Sequence, residues 1–283
     1  MHYTSDTLHI RPSCKEEYIQ VTPQKAGWTY LHFSARTLRK GERWHHQTKE
    51  NEMGLVILGG ICTVEANGRK WERVGGRSHV FEGLPYAFYF SKDSNLTLEA
   101  LTDLDVAYGW CPTEEEHPSK LITTKDIAIE LRGGENASRQ INAIIPPGFP
   151  CQRLVCVEVY TPSGNWSSYP PHKHDTHIEE HGEIREAKLE EIYFYKITPP
   201  DGYALQQIYT DDHTIDALLR AQNNSLVLVP RGYHPVVSAH GYTTYYLNFL
   251  AGSAQSLANS DDPTYQWVKS GWKTLDSRVP VVR

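Results

Sequence analysis

Apolar and polar residues fall into short runs, most of four to eight residues, rich in β-branched and aromatic side chains and broken by Gly, Pro, Asn or Asp. Runs at 54–57, 61–65, 192–197, 204–209, 226–229 and 242–250 read as strands. Asn67-Gly68, just beyond the second of these, reads as a two-residue hairpin turn, because a type I′ turn needs positive φ at both central positions. Short strands at such spacing build a sandwich or a barrel. Two stretches depart from the pattern: 176–189, which is dense in charge, and 212–220. Both read as helical or irregular.

The pattern occurs twice. Glu52-Met53-Gly54-Leu55-Val56-Ile57 leads to Val80-Phe81-Glu82-Gly83-Leu84-Pro85-Tyr86-Ala87, and Glu191-Ile192-Tyr193-Phe194-Tyr195 leads to Val227-Leu228-Val229-Pro230-Arg231-Gly232-Tyr233-His234. In each, an acid opens a strand, and a later strand ends in a Gly/Pro turn and a tyrosine. This points to a duplicated β unit, although unrelated β segments can share so short a pattern. The match sets Glu52 against Glu191 and Ala87 against His234. Residues 133–148, with Gly-Gly and Pro-Pro-Gly, read as the link, giving expected halves of 1–140 and 141–283.

A chain of 283 residues suits two domains of ordinary size. With 39% hydrophobic residues, including 17 Tyr and 7 Trp, it can build a core. The net charge of -6 excludes a generally basic nucleic-acid binder, though not a local basic patch. No apolar run approaches the roughly 18 residues of a membrane helix, and the first residues show no basic segment followed by an apolar one. The expectation is a cytoplasmic protein without membrane or nucleic-acid partners. Cys14, Cys62, Cys111, Cys151 and Cys156 are scattered and form no CxxC, so they read as reduced thiols.

Pro170-Pro171-His172-Lys173-His174-Asp175 carries the most chemistry. In an extended segment His172 and His174 point to the same side, since side chains alternate with period 2. Glu191 opens the next clear strand, and His234 follows the Pro230-Arg231-Gly232 turn. Three imidazoles and one carboxylate suit Zn, Mn, Fe or Ni. An isolated H-x-H is as a rule a surface pair; the added Glu191 and His234 favour a metal. The first half has His45-His46 but no H-x-H, so it is expected to hold no metal, with Glu52 a structural remnant. His177, His181, His213 and His240 read as exposed. Lys173 points away from its neighbouring histidines in an ideal strand. Arg231 and Tyr233 flank the turn at His234 and could bind a substrate carboxylate or relay a proton, or serve only the turn. Tyr193-Phe194-Tyr195 and Tyr245-Tyr246 read first as core, with a tyrosine near the metal able to hydrogen-bond a sugar.

With these residues in view, the chain resembles the 5-deoxyglucuronate isomerases of bacterial inositol catabolism. The resemblance is carried by Tyr169-Pro170-Pro171-His172-Lys173-His174-Asp175, Glu190-Glu191-Ile192-Tyr193-Phe194-Tyr195, Tyr209-Thr210-Asp211-Asp212, Val229-Pro230-Arg231-Gly232-Tyr233-His234-Pro235-Val236 and Tyr245-Tyr246-Leu247-Asn248. Asp262-Pro263 with Trp267, and Leu58-Gly59-Gly60 with Cys62-Thr63-Val64, fit more weakly. It covers almost the whole chain. It implies an all-β bicupin, two double-stranded β-helix barrels in tandem, with metal ligands His172, His174, Glu191 and His234 in the second. The implied reaction is an aldose–ketose isomerisation of 5-deoxy-D-glucuronate to 2-deoxy-5-keto-D-gluconate, with Zn, Mn or Fe as cofactor.

Enolisation needs a polarised carbonyl, which a divalent cation supplies, and a base that carries a proton between neighbouring carbons. The base is not singled out: Glu191, Tyr233, His181, Lys173 and metal-bound hydroxide all qualify, and a metal-held hydride shift is a further route. Lys173, Tyr233 and Arg231 are the expected catalytic side chains. Competing readings are the related uronate ketol-isomerase of pectin breakdown, a cupin dioxygenase and a non-catalytic sugar-binding cupin. A small sugar acid is the expected partner, with a homo-oligomer left open. The charged insert 176–189, lying between two of these ligands, is a candidate flap.

Overall fold

The computed structural model describes residues 2–283. Among the described residues, helix is confined to Ser5–Leu8, Pro23–Ala26 and three short 3-10 turns; the remaining regular structure is β. The expectation of an all-β chain holds.

Two large sheets lie back to back, each with a smaller sheet on its far side. In the first half, a six-stranded sheet runs in the order Lys120–Ile122, Ala87–Phe90, Asn51–Gly59, Leu104–Pro112, His32–Leu38, Glu17–Val21. Its four-stranded companion is built from Arg43–Gln47, Asn95–Ala100, Ile61–Ala66 and Arg69–Gly75. In the second half, a seven-stranded sheet runs His9–Ile10, Leu226–Val229, Leu189–Thr198, Thr243–Gly252, Val155–Thr161, Arg139–Ile145, Ala128–Arg132. It faces Trp166–Ser167, Val236–Ser238, Tyr203–Tyr209 and Asp216–Gln222.

Side-chain alternation produces this layering. Along Asn51–Gly59, Met53, Leu55 and Ile57 pack with Cys62, Val64, Leu96 and Leu98 of the small sheet, while Val56 and Leu58 join the core shared with the second half. Along Leu189–Thr198, Phe194 reaches Phe33 of the first half, with ring centroids 5.5 Å apart, whereas the Tyr195 hydroxyl donates to Gln206 of the small sheet at 2.9 Å. Phe249 enters a notch formed by the cross-strand pair Gly54 and Gly109. A Cβ on Gly109 would lie 2.5 Å from the Phe249 ring, so only glycine fits there.

Polar clamps cross the same seam. The Glu52 carboxylate accepts backbone N–H bonds from Gln152 (2.9 Å), Arg153 (2.7 Å) and Leu154 (3.0 Å) of the second half. Reciprocally, Glu190 accepts from Thr29 (2.5 Å), Tyr30 (2.8 Å) and Leu31 (2.8 Å) of the first. Arg77 pairs with Glu158 at 3.1 Å, both buried.

These contacts correct the expected match between halves. Glu52 is the counterpart of Glu190, not of Glu191, and Met53 takes the place of Glu191. Ala87 likewise is not the counterpart of His234. It opens the strand beside Asn51–Gly59, pairing with Val56, as Leu226 pairs with Phe194. The sequence match failed because Val80–Glu82 is a 3-10 turn that only imitates the end of a strand.

Other expectations change as well. The asparagine–glycine hairpin forms as expected, with φ of 48° at Asn67 and 79° at Gly68. The insert 176–189 is neither helix nor loose loop: Ile178–Glu180 and Glu183–Glu186 pair as a hairpin around His181-Gly182, both at positive φ. Glu186 ties its base by accepting from the N–H groups of Asp175 (2.8 Å) and Thr176 (2.9 Å). Residues 212–220 lead into strand Asp216–Gln222. The expected link 133–148 contains strand Arg139–Ile145, an integral member of the seven-stranded sheet.

Candidate metal centre

The inward row of Leu189–Thr198 carries Glu191, Tyr193 and Tyr195. His172 sits in a two-residue strand paired with Ser260–Asp261, and His174 follows it. His234 comes from the turn after Leu226–Val229. That turn is fixed by Asp175, whose Oδ1 accepts from the Gly232 N–H at 2.7 Å. Gly232 has φ +93°, and a Cβ there would lie 2.4 Å from the Tyr209 carbonyl oxygen. The segment bearing H-x-H thus holds the turn bearing the third histidine.

His174, Glu191 and His234 converge, all buried, with one ligand atom of each within 4.8 Å of the others. The His172 ring lies beside them, 4.8 Å from the His234 ring between centroids. His174 Nδ1 faces the Leu189 carbonyl at 3.1 Å, and His234 Nδ1 faces the Gly232 carbonyl at 2.8 Å. Donation to these carbonyls assigns the tautomer and leaves both Nε2 atoms as lone pairs. They face Glu191 Oε2 at 2.9 and 3.3 Å. Lone pairs turned toward a carboxylate oxygen need a proton or a cation between them. His234 Nε2 is buried and has no hydrogen-bond partner. The donor set therefore fits a divalent ion of borderline hardness, with the Nδ1–carbonyl bonds as the orienting contacts such ligands require.

Electrostatics agrees. Burial pushes the Glu191 carboxyl up, but the facing imidazoles of His174 and His234 outweigh it and hold the pKa at about 2, the value expected when a positive charge sits between these groups. Burial lowers His174, yet Glu191 brings it above its ordinary value. His172 is driven well below the usual imidazole range by burial and then by its histidine neighbours.

The cluster opens on a cavity of about 710 Å³ whose walls include His172, Glu191, Tyr193, Tyr246 and Arg139. The Ser168 hydroxyl lies 3.0 Å from that of Tyr193. Burial raises the pKa of Tyr193 and Tyr246, so both are neutral hydroxyls at neutral pH.

Lys173, Tyr233 and Arg231, the expected catalytic side chains, do not line this cavity. The Lys173 ammonium pairs with Asp211, whose other oxygen accepts from the Tyr233 hydroxyl at 3.0 Å. Arg231 is exposed and donates to Thr214 at 2.8 Å. Strand alternation turns Lys173 away from His172 and His174, and the Gly232 turn sends Arg231 outward. His177, His181, His213 and His240 are exposed, as expected. Sequence reasoning missed Arg139 and Ser168. The available signal was a lone cation in the inward row Arg139, Ile141, Ala143.

The model of the KduI/IolB family matches residues 8–268. The chain belongs to that family. Among curated relatives of the family, the 5-deoxy-glucuronate isomerase of Geobacillus thermodenitrificans (strain NG80-2) is 40% identical over 258 residues, 91% of this chain and 93% of that one. The 5-deoxy-glucuronate isomerase of Bacillus subtilis (strain 168) is 38% identical, covering 88% and 91%. The crystal structure of an IolB-like protein from Salmonella typhimurium LT2 superposes with a TM-score of 0.89 at 34% identity, covering 92% of this chain and 98% of that one. Oxalate decarboxylase of Lactobacillus farciminis shares the fold alone, with a TM-score of 0.63 at 12% identity, covering 93% and 92%.

Proposed function

We propose that the chain is a metal-dependent aldose–ketose isomerase that converts 5-deoxy-D-glucuronate to 2-deoxy-5-keto-D-gluconate in inositol catabolism. The observation that carries this is the buried His174–Glu191–His234 cluster at the wall of a cavity roomy enough for a sugar acid, in a chain whose relatives bear that isomerase name. The proposed architecture is a bicupin. The barrel within 1–140 is metal-free and the one within 141–283 holds the metal, while His9–Ile10 and Ala128–Arg132 add to the sheet of the second.

His172, His174, Glu191 and His234 would hold a divalent ion, with Zn, Mn and Fe all compatible with the donor set. Such an ion supplies Lewis acidity, polarising the carbonyl and stabilising the charge that develops as hydrogen moves between C1 and C2. The chain's own contribution is orientation. The carbonyls of Leu189 and Gly232 lock the two imidazoles, and the neutral hydroxyls of Tyr193 and Tyr246 offer donors to sugar oxygens. The apolar walls, among them Ile141, Ala143, Val157 and Leu250, limit water around the reacting carbons. The free thiols of all five cysteines support a cytoplasmic location.

The test is metal analysis of the purified protein together with an assay on 5-deoxyglucuronate. The expected result is turnover without oxygen uptake, lost on chelation and restored by a divalent ion. Full activity in metal-free protein, or oxygen consumption with substrate, would overturn the proposal.

A further inference from the structure

Three cations besides the histidines line the cavity: Arg132, Arg139 and Lys269. Two have a carboxylate of their own. Arg132 pairs with Glu130 at 2.7 Å and Lys269 with Asp261. Arg139 has no ion-pair partner among the described residues: Asp261, already paired with Lys269, acts on it only at longer range, against the like charge of Arg132. It is 9% exposed, and only its Nη1 is engaged, weakly, by the carbonyl oxygens of Ala137 (3.4 Å) and Tyr169 (3.3 Å). Among the described residues neither Nε nor Nη2 has a hydrogen-bond partner, and both are left for an anion or water from the cavity. A buried guanidinium without an anion is costly and therefore uncommon, and its planar donor fork matches a carboxylate.

Its place is equally informative. Arg139 stands in one inward row with Ile141 and Ala143, and its charge acts on Tyr246, Tyr193 and His172. Tyr246 packs on Tyr193, with centroids 4.7 Å apart, and Tyr193 on His234 at 5.8 Å. The guanidinium is thus separated from the His234 end of the cluster by a short tyrosine wall. The ends of an extended six-carbon chain lie roughly 6 Å apart, given carbon–carbon bonds near 1.5 Å. A sugar acid with its carbonyl end at the cluster can set its carboxylate toward Arg139.

We propose that Arg139 is the carboxylate-binding residue of this cavity and makes it selective for sugar acids over neutral sugars. The role lies with Arg139 rather than Arg231, which is exposed and outside the cavity. The identity of the acid rests on the isomerase reading; the anion site does not.

The test is binding rather than turnover. Wild type, Arg139→Gln and Arg139→Lys, each with metal content and melting temperature measured, are titrated with D-glucuronate and with D-glucose. Wild type should prefer glucuronate. Arg139→Gln should lose roughly 30- to 1000-fold in glucuronate affinity, with glucose binding and metal content unchanged. Arg139→Lys, which keeps the charge without the fork, should lose about tenfold. The proposal is overturned if wild type does not prefer glucuronate, if Arg139→Gln retains the preference, or if both ligands weaken equally, as a structural role through Tyr169 would require. If Arg139→Gln does not fold, an unchanged preference in Arg139→Lys overturns it. Arg139-dependent glucuronate binding in a protein that fails to turn over 5-deoxyglucuronate sinks the isomerase reading and supports this site.

Discussion

Strands Asn51–Gly59 and Leu189–Thr198 hold corresponding places in their sheets, yet one face of each is alike and the other is not. On the seam side both keep a carboxylate, Glu52 and Glu190, each accepting three consecutive backbone N–H groups from the other half. On the inner side Met53, Leu55 and Ile57 of the first half stand against Glu191, Tyr193 and Tyr195 of the second. The first interior is filled by apolar and aromatic side chains. At its mouth Trp110 stacks on His32 (4.9 Å) and on Tyr108 (5.4 Å), and His46 meets Trp44 at 5.1 Å. A similar framework thus carries packing in one half and candidate chemistry in the other; within these two strands the difference falls on alternate residues, and the candidate histidines join from a short strand and a turn.

The largest effect should come from removing a convergent histidine. His234→Ala is expected to abolish bound metal and lower turnover by more than the roughly 10- to 100-fold typical of losing a mere orienting contact, with the β circular dichroism intact. His46→Ala in the first half should change neither. Metal loss from the His46 variant would break the contrast between halves.

The seam residues should behave in the opposite way. Glu52→Gln weakens three charge-assisted hydrogen bonds at a buried site and should cost about 2–4 kcal/mol in denaturant unfolding, while metal stoichiometry stays that of wild type. Glu190→Gln should show a cost of the same kind. Equal effects from the two would sharpen the reciprocity; an effect from only one would count against it.

A smaller, graded effect should follow pH. His174 lies above its ordinary value in the metal-free protein because Glu191 stabilises its charged form. A histidine raised on folding adds stability below its unfolded pKa, near 6.5, and loses it as pH rises through the folded value. Metal needs the same Nε2 deprotonated. Chelator competition should therefore show affinity falling about tenfold per pH unit below that raised pKa, one proton competing with one ion. Affinity that does not change with pH would rule out a histidine ligand there.

The smallest effects are expected at Lys173 and Arg231. Lys173→Ala removes a partly exposed ion pair worth at most about 1 kcal/mol, and kcat/KM on 5-deoxyglucuronate should stay within about threefold for either alanine variant. A much larger loss would return them to the catalytic machinery.

Much of this was legible in local chemistry. The alternating short runs gave the β class, Asn67-Gly68 fixed its hairpin, and H-x-H with a strand-opening acid and a turn-borne histidine brought His174, Glu191 and His234 into one reading. What escaped needed contacts between distant segments. The one-residue slip that set Glu52 against Glu191 inverts a strand's two faces, and only the N–H groups of 152–154 and 29–31 reveal it. The insert 176–189 read as helical or irregular because charge density says little about His181-Gly182 as a hairpin turn. Arg139 gave no motif; its meaning depends on the carboxylate it lacks.

The reciprocal clamps bear on what could be cut from this chain. The second half holds every candidate metal ligand, yet made alone it would present the N–H groups of Gln152, Arg153 and Leu154 without their acceptor and Glu190 without its donors. Strand His9–Ile10, from the far end of the sequence, would be missing from its edge. Each half in this sense meets the other as a subunit meets its partner, across an interface of reciprocal polar clamps. The half without a candidate metal cluster thus supplies contacts that the other half cannot replace from its own sequence.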